Sequence, residues 1–314
     1  MTRIPLFDIS GLSRREIVFV TVVSILFLTF QATVVGLIPG HILMVSLFLL
    51  MFFAHEYTRK LAVALVPFIL FEISYDWMRL CPNYEVSPVD TRGLYETELS
   101  LFGIADGMRT VIPGEYFMNH HCLTADILAG LSYLCWVPVP IAFGVYLFIK
   151  NERSIYLRFA LAFLFVNWLG FVGYYIHPAA PPWYILQHGF SVDFNTPGNV
   201  AGLIRFDEWL GLPVFQSIYV NNSNIFAAVP SLHAAYMFIT TIYAAKSKHW
   251  SLTGLFSLIT IGIWCTAVYS GHHYIIDVVL GILTAIVGII LFENVLMKWG
   301  PFKKAFQSYE RYIS

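Results

Sequence analysis

Charge is what this chain has least of. Asp, Glu, Lys and Arg make up 12% of its 314 residues, about half the share in an ordinary soluble domain. With 58% hydrophobic residues, that scarcity excludes a water-soluble globular fold and predicts a polytopic membrane protein. Neither sign dominates: 18 Lys and Arg against 19 Asp and Glu leave a net charge of −1. The basic residues fall in short clusters rather than along one face, which argues against nucleic acid as a partner. Strand-period alternation, low-complexity tracts and internal repeats are also lacking. No cleavable leader is evident, because the apolar stretch 17–38 behind Arg14 and Arg15 is long enough to cross a bilayer, unlike a signal core of roughly 7–15 residues. Cysteines number 4. Cys135 and Cys265 lie in apolar runs, whereas Cys81 and Cys122 flank one polar segment and could form a disulfide in an oxidising compartment.

What is present is a series of apolar runs, at 17–38, 41–53, 61–78, 127–149, 155–176, 225–245, 251–270 and 275–297. Irregular backbone is costly in hydrocarbon, so an all-α bundle of about eight transmembrane helices is expected, the second being short for a span of roughly 20 residues. If all eight cross, 14 of the Lys and Arg share one side and only Arg79, Arg92, Arg109 and Arg205 lie on the other. The positive-inside rule then places both termini in the cytoplasm. The outer segment 79–126 is acidic, and 94–112 mixes apolar and charged positions as an interfacial helix would. Segment 177–224, rich in Pro, Gly and aromatics, reads as a structured loop over a site. One membrane domain is expected over 1–314, with N-terminal helices and an outer loop in 1–126 and a catalytic core at about 155–297.

Two motifs carry chemistry. Pro230-Ser231-Leu232-His233 and His272-His273-Tyr274-Ile275-Ile276-Asp277 stand at the mouths of apolar runs, and the expected topology brings them to the extracytoplasmic face. Four residues apart, His273 and Asp277 share a helical face, so the carboxylate can hold one imidazole nitrogen, while His272 faces elsewhere. An imidazole so aligned is a nucleophile toward phosphorus, and His233 can protonate the departing oxygen. The acceptor of the second step, water or a lipid hydroxyl, separates a phosphatase from a transferase, and the motif does not choose. His-x-x-x-Asp could also place two metal ligands on one face, but spacing dictates no third. A non-catalytic transporter or haem carrier is the contrasting reading. Haem needs axial histidines inside the bundle, and transport favours ionisable groups in the spans, where only Glu72 and Glu293 qualify, both near helix ends.

Candidate substrate contacts surround this core. Free amides at the start of the sixth helix near Ser231, with Pro230 in its first turn, would attract an anion. Arg79 or Arg205 could add charge from the outer loops, and Asp76 could pair with Arg79 or accept from polyol hydroxyls. His177 ends the fifth helix at the same face. Trp183 and Tyr184 could line an entrance for acyl chains, stack on a sugar or anchor the chain at the interface. Asn221 opens an N-N-S sequon.

Together these segments resemble the type 2 phosphatidic acid phosphatase superfamily, whose pattern is P-S-G-H followed by S-R-x5-H-x3-D. The run His177-Pro178-Ala179-Ala180-Pro181-Pro182-Trp183-Tyr184 is similar to a Pro-rich segment of its inositol phosphorylceramide synthase branch, with weaker echoes at 75–79 and 112–117. The resemblance implies His273 as phosphorylated nucleophile, Asp277 as its orienting partner and His233 as general acid, with neither cofactor nor metal. There are departures. The superfamily arginine falls at Ala267 and its serine at Thr266, and K-x6-R-P is absent, with no Lys between Asn151 and Tyr184. A doubly charged phosphomonoester would lack its clamp, whereas a singly charged diester needs less neutralisation. The resemblance therefore implies transfer of a phosphoinositol-type headgroup from a glycerophospholipid to a ceramide-like acceptor. The alternative is a phosphatase acting on phosphatidylinositol phosphate, phosphatidic acid or a polyprenyl diphosphate. A bacterial inner membrane is the expected location.

Overall fold

Helices form where the apolar runs predict them. The computed structural model describes residues 11–220 and 224–314, so Arg3 and the Asn221 sequon lie outside the described residues. The first helices are α1 (Arg14–Phe30), extended by a π-helical turn Gln31–Val35, α2 (Pro39–Ala54), α3 (Glu56–Ala64) and α4 (Val66–Asp76). An outer segment follows with α5 (Gly93–Phe102), strands β1 (Ile104–Asp106) and β2 (Arg109–Val111), and α6 (Pro113–Asn119). Then come α7 (Leu123–Tyr133), α8 (Pro138–Ile149), α9 (Arg153–Ile176), α10 (Pro182–His188), α11 (Ile204–Leu210) and α12 (Val214–Tyr219). The chain closes with α13 (Leu232–Lys246), α14 (Trp250–Tyr269), α15 (Ile275–Asn294) and α16 (Gly300–Ile313). Local chemistry explains several starts: the Ser13 hydroxyl and the Glu16 carboxylate cap α1 reciprocally, and prolines occupy the first turns of α2, α8 and α10.

Four helical stretches are long and apolar enough to cross a membrane: Arg14–Val35, Arg153–Ile176, Trp250–Tyr269 and Ile275–Lys298. The count is six if the bent pairs Glu56–Ala64 with Val66–Leu80 (43°) and Leu123–Tyr133 with Pro138–Ile149 (44°) are each one span. The expected second and sixth runs form helices of 16 and 15 residues, short of the rest. The sixth starts late because 225–231 is not helical: Ala227 bridges to Ala179, and the helix opens only after Ser231.

The outer segments depart from expectation in three ways. The predicted interfacial helix over 94–112 is helical only to Phe102; beyond Gly103 the chain turns into an antiparallel hairpin, Ile104 opposite Val111 and Asp106 opposite Arg109. The bundle is therefore not purely α-helical. A two-residue loop joins the strands, and Gly107 at φ 64° supplies the positive φ that its first position requires. Finally, Cys81 and Cys122 are both exposed free thiols rather than a disulfide. Cys81 closes the turn after α4, where its carbonyl accepts from Tyr175 Oη on α9, and Cys122 caps α7, so they belong to different packing units.

α9 is the central post. Its buried Tyr156, Phe159, Phe163 and Val166 meet α4, α8, α13 and α15. Small residues allow the segment before α13 to lie deep: a methyl added at Gly170 would strike Leu232, one at Gly173 would meet Pro230, and one at Gly281 of α15 would overlap the Ser231 carbonyl. Close approach at small residues is a usual mode of helix packing in lipid. Over this end, Asn83 Nδ2 donates to the carbonyls of Tyr174 (2.9 Å) and Phe226 (3.0 Å), and Asn224 Nδ2 donates to Asn83 Oδ1 (2.7 Å), tying the two outer segments together. At the opposite end, α16 buries Phe306 and Ile313 against α3 and α9, with Arg153 Nε donating to the Ile313 carbonyl at 3.0 Å.

Candidate active site

Three elements bring the motif residues together. His233 stands in the first turn of α13, His273 in the loop between α14 and α15, and Asp277 in the first turn of α15. His233 Nδ1 lies 3.0 Å from His273 Nε2, and His273 Nδ1 lies 3.4 Å from Asp277 Oδ2. His273 precedes the helix instead of sitting on it, and its Nδ1 faces Asp277 at ion-pair distance without making a hydrogen bond of regular geometry. The same Asp277 oxygen accepts the Tyr274 N–H (3.0 Å), while Asp277 Oδ1 is buried without a partner. The Asp277 backbone carbonyl accepts the Ser231 N–H (3.0 Å), so the two motifs are joined through main chain as well.

Ser231 is fully buried and caps α13 by accepting the Ala234 N–H at 3.4 Å. Its own amide is committed to Asp277, and Pro230 precedes the cap instead of lying in the first turn, so the expected anion site at Ser231 is only partly open. The amides opening α15 are also taken. Glu98 of α5, 1% exposed, accepts the N–H groups of Ile275 (2.8 Å) and Ile276 (3.2 Å). Burial raises its carboxyl above the ordinary glutamate value, more than the two N–H donors lower it. Sequence reasoning missed Glu98, since nothing in the acidic outer segment marks a partner 177 positions away.

His272, also buried, turns away from the pair. Its Nδ1 is 2.9 Å from Ser270 Oγ, and its ring lies 4.5 Å from that of Tyr219 and 5.9 Å from that of Tyr133. Burial, reinforced by neighbouring His273, pushes its imidazole down to about 3, so it stays neutral at physiological pH. Aromatic rings wall the site: Trp136 is 4.5 Å and Tyr133 5.2 Å from His233. Trp136 sits in the break between α7 and α8, an interruption of helix at a place where the backbone is sheltered in protein.

The other expected contacts divide. Arg205 Nε meets Asp126 Oδ1 at 2.5 Å and its guanidinium lies 5.1 Å from the Tyr269 ring centroid; its Nη2 is buried without a hydrogen-bond partner. Gly202, three residues earlier, donates to the Ser270 carbonyl (2.8 Å), which ties this arm to the histidine loop. Arg79 and Asp76 instead pair with one another (2.6 Å), and Asp76 Oδ2 is held by Gln31 Nε2 (3.1 Å) and His41 Nε2 (3.3 Å), a cluster at the ends of α1, α2 and α4. His177, half-exposed, pairs with Asp90 at 3.3 Å. Trp183 and Tyr184, read from sequence as exposed to acyl chains, a sugar or the interface, are both buried. The Trp183 N–H donates to the Gly271 carbonyl (3.0 Å), and Tyr184 Oη donates to the Ser191 carbonyl (2.9 Å) and accepts from the Asp193 N–H (2.7 Å). Their part is to hold the cover over the histidine loop. Among the described residues no three His, Cys, Asp or Glu side chains converge as a metal site.

Comparison with known proteins gives a consistent picture. Residues 110–291 match the family model described as PAP2 superfamily. The chain is 58% identical over 302 residues to phosphoinositol dihydroceramide synthase of Bacteroides thetaiotaomicron, covering 96% of this chain and 99% of that one. It is 28% identical over 213 residues to inositol phosphorylceramide synthase of Candida albicans, covering 64% of this chain and 43% of the fungal one. It is 30% identical over 158 residues to inositol phosphorylceramide synthase catalytic subunit AUR1 of Saccharomyces cerevisiae, covering 50% and 39%. The chain thus spans less than half of each fungal protein. No solved structure matches.

Proposed function

The chain belongs to the PAP2 superfamily, and from that premise we propose that it is an integral membrane phosphotransferase moving a phosphoinositol headgroup from a glycerophospholipid to a ceramide-type alcohol. The observation that carries the chemistry is the contact of His233 Nδ1 with His273 Nε2 at 3.0 Å, backed by Asp277. His273 Nε2 attacks phosphorus, Asp277 holds the proton on Nδ1, and His233 gives a proton to the departing diacylglycerol oxygen. The headgroup is then carried as a phosphohistidine. In the second displacement, His233 takes the proton of the ceramide hydroxyl, whose oxygen attacks phosphorus and releases His273. The phosphate enters between the two imidazoles, replacing the contact they make with each other. Arg205, through its unpartnered Nη2, is the outer arginine best placed to support that phosphate. Arg79, Asp76 and His177 act at the edge of the site, holding segments that border the headgroup.

The topology in this reading has eight crossings, with the α3–α4 and α7–α8 pairs each one bent span and α2 and α13 short spans. The 14 Lys and Arg of one side then face the cytoplasm with both termini. The active site opens on the extracytoplasmic face of what, with a bacterial relative at 58% identity, is a bacterial inner membrane.

The test uses purified protein in detergent with phosphatidylinositol and labelled ceramide, and in parallel phosphatidylinositol phosphate and phosphatidic acid, following lipid products and free phosphate. Labelled inositol phosphorylceramide without phosphate release is the expected outcome. Phosphate release with no ceramide product would replace the transferase by a lipid phosphatase.

A further inference from the structure

Three polar groups that the proton transfers leave unused gather beside the catalytic pair. Tyr133, the last residue of α7, is 0% exposed, and its ring lies 5.2 Å from that of His233 and 5.9 Å from that of His272. Tyr219, the last residue of α12, sets its ring 4.5 Å from that of His272. His272 is buried and is joined by one peptide bond to His273. The Oη atoms of both tyrosines and Nε2 of His272 are buried without a hydrogen-bond partner. The two hydroxyls are near enough to act on each other, and the Asn199 backbone approaches the His272 ring, but neither approach reaches hydrogen-bond geometry at these three atoms. Phenylalanine at either tyrosine would pack the same ring without burying a hydroxyl that nothing meets, which is costly.

The three groups share a character that narrows what they meet. All are neutral, His272 because burial depresses its imidazole, and all can either donate or accept. Ser270 Oγ, 2.9 Å from His272 Nδ1, can donate or accept there, which leaves Nε2 free to take the opposite role. Such a set suits alcohol hydroxyls. An anion would call for donors alone, and a quaternary ammonium, although aromatic rings attract it, would leave all three atoms unpaired. The order of the two displacements then separates the hydroxyls of the donor from those of the acceptor. Diacylglycerol and ceramide exchange places at His233, whereas the headgroup stays on the phosphorus carried by His273 through both steps. Its seat must border both histidines, as the wall of Tyr133 and His272 does.

We propose that Tyr133, Tyr219 and His272 form the subsite that recognises the ring hydroxyls of the donor's polyol headgroup and selects a neutral cyclitol over headgroups that carry charge. This rests on the phosphotransferase reading and deepens it, by naming the residues that choose the headgroup. When phosphate parts His233 from His273, the attached cyclitol lies against these three groups and exchanges hydrogen bonds with them. A site built to hydrogen-bond a substrate hydroxyl discriminates strongly against an analogue that lacks it, because its own buried groups are then left unpaired.

The experiment measures KM and kcat for phosphatidylinositol and for ceramide with wild type, Tyr133→Phe and Tyr219→Phe, each of which removes one hydroxyl and keeps the ring. Donors with single hydroxyls deleted from the inositol ring, and phosphatidylethanolamine, are run in parallel. Each Phe variant is expected to raise KM for phosphatidylinositol about tenfold, with kcat and the KM for ceramide changed far less. Wild type should lose about as much with one of the deoxyinositol donors, and in the variant the two losses should not add, since both delete one hydrogen bond. Unchanged KM for phosphatidylinositol in both variants overturns the proposal and leaves the hydroxyls to water alone. A rise shared equally by ceramide, losses that add for every deoxyinositol donor, or equal use of phosphatidylethanolamine and phosphatidylinositol by wild type overturns it as well. Should Tyr133→Phe fail to fold, Tyr219→Phe and the donor series decide by the same criteria. Wild type that makes no inositol phosphorylceramide would refute the phosphotransferase reading itself, a separate failure seen in the same plates.

Discussion

Glu98 offers the sharpest test of how the site is held, because it touches neither histidine yet fixes the helix that carries Asp277. Its two oxygens accept the first free amides of α15, at 2.8 and 3.2 Å. Hydrogen bonds to a charged acceptor contribute about 1.5–3 kcal/mol each, so the pair supplies about 3–6 kcal/mol, offset in part by the cost of burying the carboxylate. We expect Glu98→Ala to cost about 2–4 kcal/mol, leaving two amides at a helix N-terminus unmet. A shift of the α15 start moves Asp277 against His273, and with each 1.4 kcal/mol worth tenfold in rate, kcat should fall at least tenfold. Glu98→Gln keeps one acceptor but turns its NH2 toward the second amide, and should fall between. The pH dependence has a defined sign. Burial raises the Glu98 carboxyl, so its stabilising contribution is complete below the ordinary glutamate value of 4.5 and lost as pH rises through the folded value. Alignment needs the opposite, since only the ionised carboxylate accepts both N–H groups. Activity should therefore fall on acidification at a pH above that of an ordinary glutamate while the protein stays folded, and Glu98→Gln should lack that part of the acid limb. Steady-state transfer assays and thermal unfolding in detergent measure both effects. Wild-type kcat and stability in Glu98→Ala would refute the reasoning.

His273→Ala should abolish transfer without changing extraction or thermal unfolding, and residual wild-type-like turnover would remove its assignment as nucleophile. His233→Ala should slow turnover about 10²–10⁴-fold, and a donor labelled in its headgroup should leave phosphoinositol on His273 if the second displacement is impaired; no covalent label in any variant would count against the phosphohistidine. Gly281→Ala inserts a methyl against the Ser231 carbonyl, costing about 1–3 kcal/mol and parting His233 from His273, so kcat should drop more than KM rises. Restoring the superfamily arginine by Ala267→Arg should destabilise the protein, because Ala267 is 0% exposed and its carbonyl accepts the His273 N–H at 2.9 Å. A stable Ala267→Arg protein that gains monoesterase activity would contradict that packing argument.

The clustering of the two motifs was legible because both are local: His273 and Asp277 are close in sequence, and His233 stands at the mouth of an apolar run. What sequence could not show is which polar and aromatic groups of the outer segments face inward. Trp183 and Tyr184 carry the composition of membrane-interface anchors, yet both are buried in a cluster with Ala180, Ile185 and Phe226. The stretch 225–231 is as apolar as a span, but its backbone is spent on a bridge to Ala179 and on packing against Gly170 and Gly173, so the helix starts at Leu232. The hairpin at 104–111 did leave a signal, a glycine between short alternating segments, which the amphipathic reading of 94–112 overrode. Of the two roles open to Asp76 in the sequence, the structure shows the pairing with Arg79. Their partners Gln31 and His41 come from helices whose mutual packing sequence alone does not reveal.

The lost arginine and lysine motifs acquire a physical meaning once the donors around the histidines are followed. The Ser231 amide serves Asp277, the Tyr274 amide serves the Asp277 carboxylate, and the amides of Ile275 and Ile276 serve Glu98. Helix N-termini that could have held a phosphate are thus largely committed to internal carboxyl and carbonyl groups. Among the described residues, the buried donors left over near the histidines are Arg205 Nη2 and neutral groups, among them the hydroxyls of Tyr133, Tyr219 and Tyr274. The single cation among them is itself half-neutralised by Asp126. A doubly charged monoester placed there would keep most of its charge uncompensated in a water-poor site, where unpaired charge is costly. A diester brings a single charge, and its polyol and lipid hydroxyls match neutral groups. The composition of the wall therefore favours transfer of an intact phosphodiester headgroup over release of inorganic phosphate, on grounds independent of any relative.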